Sequence, residues 1–221
     1  MAIHNEVEFE KDICAHLEDR GWLWSRSDAG YHRERALFPA DALDWVKAAQ
    51  PKTWEKFAAH HGASAEAEFI KRLAKVLDDE GTLKVLREGF RMVGTGGEDF
   101  KMVQYRPAHG LNPEIEARYK LNRLRVMQQV HYSTKHQNSI DLVLFVNGLP
   151  VATIEIKTQF TQSIEDAKRQ YCDDRDPKGE PLLMFKRGAL VHFALSTEEI
   201  AMTTRLTGGS TYFLPFNKGH E

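Results

Sequence analysis

Hydrophobic and polar positions follow two different periods along this chain, and the switch between them divides it. From Asn5 to Arg20 the apolar residues recur at helical spacing and stop at Gly21. At 100° per residue Glu6, Glu10, Ile13 and Leu17 fall on one stripe, while Glu8 points away. Residues 40–80 are helical in three pieces: "ADALDWVKAAQ", "PKTWEKFAAHH" opened by Pro51, and "SAEAEFIKRLAKVLDDEG" with Ser64 as N-cap and Gly81 as stop. Further on, period two and β-branched residues take over, and "FKMVQYRP", "RLRVMQQVHYS", "SIDLVLFV", "PVATIEIK", "GALVHFAL" and "EEIAMTT" read as strands. "LKVLREGFRMV" fits either period. Two short helices interrupt the strands: "NPEIEARYK", capped by Asn112 with Pro113 at its first position, and "SIEDAKRQYCDD" from Ser163. The stretches "GTGG" and "DPKGEP" are loops. The pattern predicts an α/β protein, a sheet flanked by helices, with residues 40–80 as a helical insertion in one domain spanning 1–221.

Charge sits oddly on the most apolar strands. "DLVLFVNGLPVATIEIK" reads as a buried hairpin turning at Asn147-Gly148, yet it begins with Asp141 and ends in Glu155-Ile156-Lys157. A two-residue loop pairs Val146 with Leu149 and sets Asp141 opposite Ile154. A three-residue loop with a bulge pairs Val146 with Pro150 and sets Asp141 opposite Glu155. The bulged register is expected, because it gathers Asp141, Glu155 and Lys157 at one sheet edge. Two close carboxylates repel unless a cation lies between them, and oxygen ligands with positions left for water suit Mg²⁺. Lys157 could then orient or deprotonate an attacking water, or neutralise a phosphorane-like transition state. Glu6 and Glu10, on the buried stripe of the first helix, read as a third metal ligand or as partners for Lys157. The bland alternative is that these ends reach water and do no chemistry.

Composition narrows the setting. A chain of 221 residues with 42% hydrophobic and 28% charged residues is globular rather than disordered, and a net charge of −2 leaves nucleic-acid contact to a local basic patch. Cys14 and Cys172 form neither a disulfide framework nor a zinc spacing and suit a reducing cytoplasm, where the protein is expected. No apolar run approaches bilayer length. The ten histidines show no HExxH pattern, and no GxSxG elbow occurs.

Asp141 followed by Glu155-Ile156-Lys157 resembles the PD-(D/E)xK nuclease signature. More widely, "IDLVLFVNGLPVATIEIK", "IEDAKRQYCDDRDP", "LVHFALSTEEIAMTTRL" and "TYFLPFNKG" resemble the N-terminal region of the R (restriction) subunits of type I restriction-modification enzymes, and "LREGFRMVG" and "YKLNRLRVMQQVHYS" fit the same region. The resemblance covers nearly the whole chain, most specifically 119–218. It implies a PD-(D/E)xK restriction-endonuclease-like core, a mixed central sheet flanked by helices, over about 119–205. It also implies an endonuclease that cuts duplex DNA with Mg²⁺ (Mn²⁺ substituting) after an ATP-driven motor has moved it. By the same resemblance Asp141 and Glu155 are metal ligands, Lys157 is the catalytic lysine, and Glu6 and Glu10 match paired acidic positions of the family's first helix. The family's Gln-x-x-x-Tyr motif is represented by Gln170, with Asp174 four residues on and the tyrosine at Tyr171. Ile140 stands where the motif's proline would be.

Lys168 and Arg169 on the helix after the lysine strand, with Arg175 and Lys178 beyond it, are candidates for holding DNA backbone. No GxxxxGK[ST] loop is present, so this chain is not the motor. It is expected to be the excised N-terminal domain of a longer polypeptide, or a stand-alone fragment, whose methyltransferase and specificity subunits supply sequence recognition. The competing readings are a non-catalytic docking module of the same fold and a nuclease acting on RNA or branched DNA.

Overall fold

The computed structural model describes residues 2–158 and 163–216. Residues 217–219, which close the "TYFLPFNKG" segment, lie outside the described residues. The elements run α1 (Ala2–Glu18), β1 (Leu23–Ser25), α2 (Pro39–Ala49), α3 (Pro51–His61), α4 (Ala65–Glu80), α5 (Thr82–Glu88), β2 (Phe90–Arg91), β3 (Asp99–Phe100), α6 (Pro113–Lys120), β4 (Leu124–His131), β5 (Ser139–Val146), β6 (Leu149–Ile156), α7 (Ile164–Asp173), β7 (Val191–Leu195), β8 (Ile200–Thr203) and β9 (Leu214–Pro215). Among the described residues a seven-stranded mixed sheet has the order β1-β4-β5-β6-β7-β8-β9. Its β1/β4 and β6/β7 pairs are parallel and the others antiparallel. Helix α7 carries the crossover that a parallel β6–β7 pair requires.

Strand alternation assigns the two sheet faces. Ile154 and Ile156 pack with Cys14, Phe9, Ile13 and Leu17 of α1. Thr153 instead meets Tyr171 of α7, whose Ala167 also packs on Ala194 and Ala201. Helices α2–α5 and the β2–β3 hairpin build a second core around Trp45, Phe57, Phe69, Phe90 and Phe100, and Leu149 joins it to the sheet. Asp41, fully buried on α2, ties this layer to β4 by accepting from Arg123 Nε at 2.8 Å and Arg125 Nε at 2.6 Å.

The 40–80 stretch is helical as expected, but three local readings change. "FKMVQYRP" contributes only Phe100 to a two-residue strand. Side chains, not a strand partner, hold the next residue: Lys101 O accepts from Trp45 Nε1 and Gln50 Nε2, each at 2.8 Å, and Lys101 N–H donates to Gln50 Oε1. The ambiguous "LKVLREGFRMV" divides at Gly89 into α5 and β2. Ser64 does not cap α4: it already has helical dihedrals at the end of a 3-10 turn, and its Oγ donates back to His61 O. Asn112 does cap α6, accepting from the N–H groups of Glu114 and Ile115.

The hairpin register corrects one expectation and meets another. Val146 pairs with Leu149 across a two-residue turn in which Asn147 (φ 48°) and Gly148 (φ 79°) are both left-handed. A Cβ on Gly148 would meet Phe38 O at 2.3 Å. Asn147 is buried and fully engaged, donating to Met102 O and Asn122 Oδ1 and accepting from Arg123 N–H. The extra residue therefore lies not in the loop but in β6, where Phe145 pairs with Pro150 and Leu144 with Ala152. Val151 is the bulge, next to a proline that has no N–H to give the ladder. Beyond it Leu142 pairs with Ile154, so the register, continued by one step, brings Asp141 opposite Glu155.

Candidate active site

The sheet forks where the charges gather. Pairing of β5 with β6 ends at Leu142 and Ile154, while β5 stays paired with β4 back to Ser139 and β6 with β7 on to Ile156. Two side chains fill the gap. The Asp141 carboxylate accepts from Ile156 N–H at 2.7 Å, taking the role of a ladder acceptor. The Arg175 guanidinium spans the fork, Nη2 donating to Ser139 O at 2.8 Å on β5 and Nε to Glu155 Oε1 at 2.7 Å on β6. Arg175 also lies over the Tyr132 ring.

Glu155 is fully buried, and its Oε2 has no hydrogen-bond partner among the described residues. Burial holds its carboxyl well above the usual carboxylate range, Asp141 adds to the rise, and Arg175 opposes it. Glu10 of α1 reaches the same place. It is only 5% exposed, and burial, reinforced by Asp141, pushes it up to about 7 against hydrogen bonds from Gln129 and Gln128. Glu6, one turn earlier, lies 3.7 Å from Lys157 Nζ. Glu8 points away and pairs with Lys11.

Asp141, Glu155, Lys157, Glu6 and Glu10, expected together, are thus brought together at the fork. The residues of the following helix are placed differently. Tyr171 is buried below the site, its hydroxyl 2.8 Å from Thr153 Oγ1, which lies 2.7 Å from His192 Nδ1. Burial keeps that histidine neutral, lowering it to about 4. Gln170 has a buried Oε1 without a partner among the described residues. Lys168 and Arg169 are at the surface of α7, paired with Glu165 and Asp166. Arg175, expected at the surface as a DNA contact, is instead 5% exposed, because Glu155 and the fork carbonyl draw it inward. Lys178 is exposed.

Sequence reasoning missed Gln128 and Gln129. Gln128 accepts from Trp24 Nε1 and Gln129 contacts both Glu10 and Asp141. A glutamine in a strand carries no signal of its own, and left-handed backbone at Gln129 (φ 49°) is not written in residue type.

Among the described residues no group of three or more His, Cys, Asp and Glu side chains is arranged to hold a metal ion. The donor set nevertheless fits a hard divalent cation: two carboxylates, one presenting a buried oxygen without a partner, leave most positions to water and to a substrate phosphate, as Mg²⁺ prefers. The seven-stranded mixed sheet with its flanking helices is consistent with a nuclease-like α/β fold. The chain belongs to the family described as type I restriction enzyme R protein N terminus (HSDR_N), which matches residues 5–211. Comparison with curated proteins gives no match. Membership sets the chain in a restriction system and a nuclease context. No helix among the described residues is long and apolar enough to cross a membrane.

Proposed function

We propose that this chain is a Mg²⁺-dependent endonuclease domain that hydrolyses phosphodiester bonds of duplex DNA. The observation that carries the reading is the fully buried Glu155, with one carboxylate oxygen lacking a partner, beside Asp141 in the fork. Asp141 and Glu155 would hold the cation. When bound, it would supply positive charge at the scissile phosphate and acidify a coordinated water. Lys157, two residues beyond Glu155, its side chain 13% exposed and its ammonium 3.7 Å from Glu6, would orient the attacking water or neutralise developing phosphorane charge. Glu10 completes the acidic rim. Lys168 and Arg169, outside the fork, contact DNA backbone rather than the reacting atoms. Sequence choice, DNA movement and ATP hydrolysis belong to other parts of a restriction complex: the methyltransferase and specificity subunits and the motor of the R protein.

The second reading, a non-catalytic docking module, draws on one observation: Arg175 already neutralises Glu155. Calorimetric titration of Mn²⁺ into the chain and into Asp141→Ala and Glu155→Ala separates the two. Saturable binding, lost in both variants, is expected. Equal heats in all three would sink the nuclease reading and leave the docking module.

A further inference from the structure

Gln129 has a backbone that strand pairing does not explain. It sits inside β4 with φ 49°, a conformation L residues avoid unless something compensates. Nothing has been inserted there. Gln128 pairs with Leu142 and Val130 with Ile140, so the register is the same on both sides of Gln129, though Gln129 and Asp141, which stand opposite each other, are not themselves a ladder pair. The left-handed twist therefore brings no change of register. What accompanies it is the course of the side chain.

That side chain lies on the solvent side of the acidic cluster and is tied at both ends of its amide. Its Oε1 accepts from Ser139 Oγ at 2.8 Å, which leaves Nε2 as the end turned toward the carboxylates. Nε2 then lies 3.1 and 3.2 Å from the two oxygens of Glu10 and 3.3 Å from Asp141 Oδ1. Glu10 comes from α1 and Asp141 from β5, elements with no backbone pairing between them. One uncharged amide thus connects two acids that belong to different layers of the fold.

We infer that Gln129 is a positioning residue that holds Glu10 and Asp141 at a fixed separation as members of one metal-binding set. This rests on the proposed nuclease reading and extends it from the Asp141–Glu155 pair to α1. A neutral amide suits the task. It satisfies carboxylate oxygens without competing as a cation, and it leaves the unpartnered Glu155 oxygen free. Ser139, whose carbonyl is held by Arg175, links the amide to the clasp of the fork.

The test uses Mn²⁺ alone as the probe, with calorimetry and a thermal midpoint in EDTA. Gln129→Asn keeps an amide and a residue at ease with left-handed backbone, but shortens the reach by one methylene. Gln129→Gly keeps the backbone and removes the amide. Both should fold with thermal midpoints near the parent's and bind Mn²⁺ about tenfold or more weakly, the scale on which outer partners of metal ligands act. In a Glu10→Gln background the Gln129→Asn step should cost clearly less, because the group it positions has gone. Unchanged affinity in both variants would make Gln129 a structural tie only, and raised affinity would make it an occupant of the site; either overturns the proposal. Should the parent chain itself bind no Mn²⁺, the nuclease reading fails and this inference with it. Parent binding lost in Asp141→Ala but kept in both Gln129 variants removes the inference alone.

Discussion

Replacing Glu10 by glutamine should stabilise the metal-free protein, and by an amount that depends on pH. Glu10 is 5% exposed and titrates at about 7 rather than 4.5. The folded state thus holds the proton more tightly than the unfolded chain does. Below about pH 4.5 both states are protonated and the group is neutral to stability. As pH rises from 4.5 the unfolded chain ionises first, and a penalty on folding grows until the folded group has ionised too, above about 7. Each tenfold change in proton affinity is worth about 1.4 kcal/mol, so the full penalty is about 3 kcal/mol. The substituted amide could not ionise; its oxygen would still accept from Gln129 Nε2, while its NH₂ would stand where a carboxylate oxygen now accepts, so Gln128 must give up its weaker contact. Urea unfolding of parent and variant in EDTA at about pH 4.5 and about pH 8 should therefore show little difference at the lower pH and a more stable variant, by about 1–3 kcal/mol, at the higher. Glu155 and His192 also titrate away from their ordinary values, but they are common to both proteins and drop out of the comparison. Saturating Mn²⁺ should shrink the variant's advantage at the higher pH, because the parent binds the ion more tightly than the variant does. A variant no more stable than the parent at the higher pH, or one stabilised equally at both pH values, would refute the account of a buried, poorly compensated carboxylate.

Two further outcomes follow from the fork and the turn. Arg175→Met leaves Glu155 buried without its cation and should cost about 3–5 kcal/mol in urea unfolding, most of it recovered when Glu155→Met is added; a single variant within about 1 kcal/mol of the parent would show that the clasp is not an ion pair that matters (a threshold set near the median worth of exposed pairs). Gly148→Ala places a methyl against Phe38 O at a left-handed position and should lower the thermal midpoint by several degrees, corresponding to about 2 kcal/mol or more, whereas Gly97→Ala, where a Cβ meets nothing within 4 Å, should cost less.

What the sequence made legible is what local rules write. Period two, the Asn147-Gly148 turn and the spacing from Asp141 to Lys157 are all short-range, so the strands, the hairpin and the acidic edge could be read from them. The stripe of Glu6 and Glu10 was readable because a helix face is fixed by its own period. The rest depends on contacts distant in the chain. Where the surplus residue of the hairpin goes was decided by the docking of Asn147 and Gly148 against Met102, Arg123 and Phe38, which forbids a looser loop and sends the bulge to Val151. Strands of two or three residues such as β1 and β9 are too short to show a period at all. Arg175 looked like a surface cation because it follows a polar helix end; it is drawn inside because β5 and β6 part company and leave a carbonyl and a carboxylate to be satisfied. The same parting makes the chemistry conceivable. An unbroken β5–β6 ladder would have paired Ile156 N–H with backbone and given Asp141 no opening between the strands. By ending two residues early, at Ile154 rather than Ile156, the ladder admits one carboxylate into the sheet and leaves another, buried, with an oxygen free. The proposed metal site is therefore a consequence of where the hairpin stops pairing.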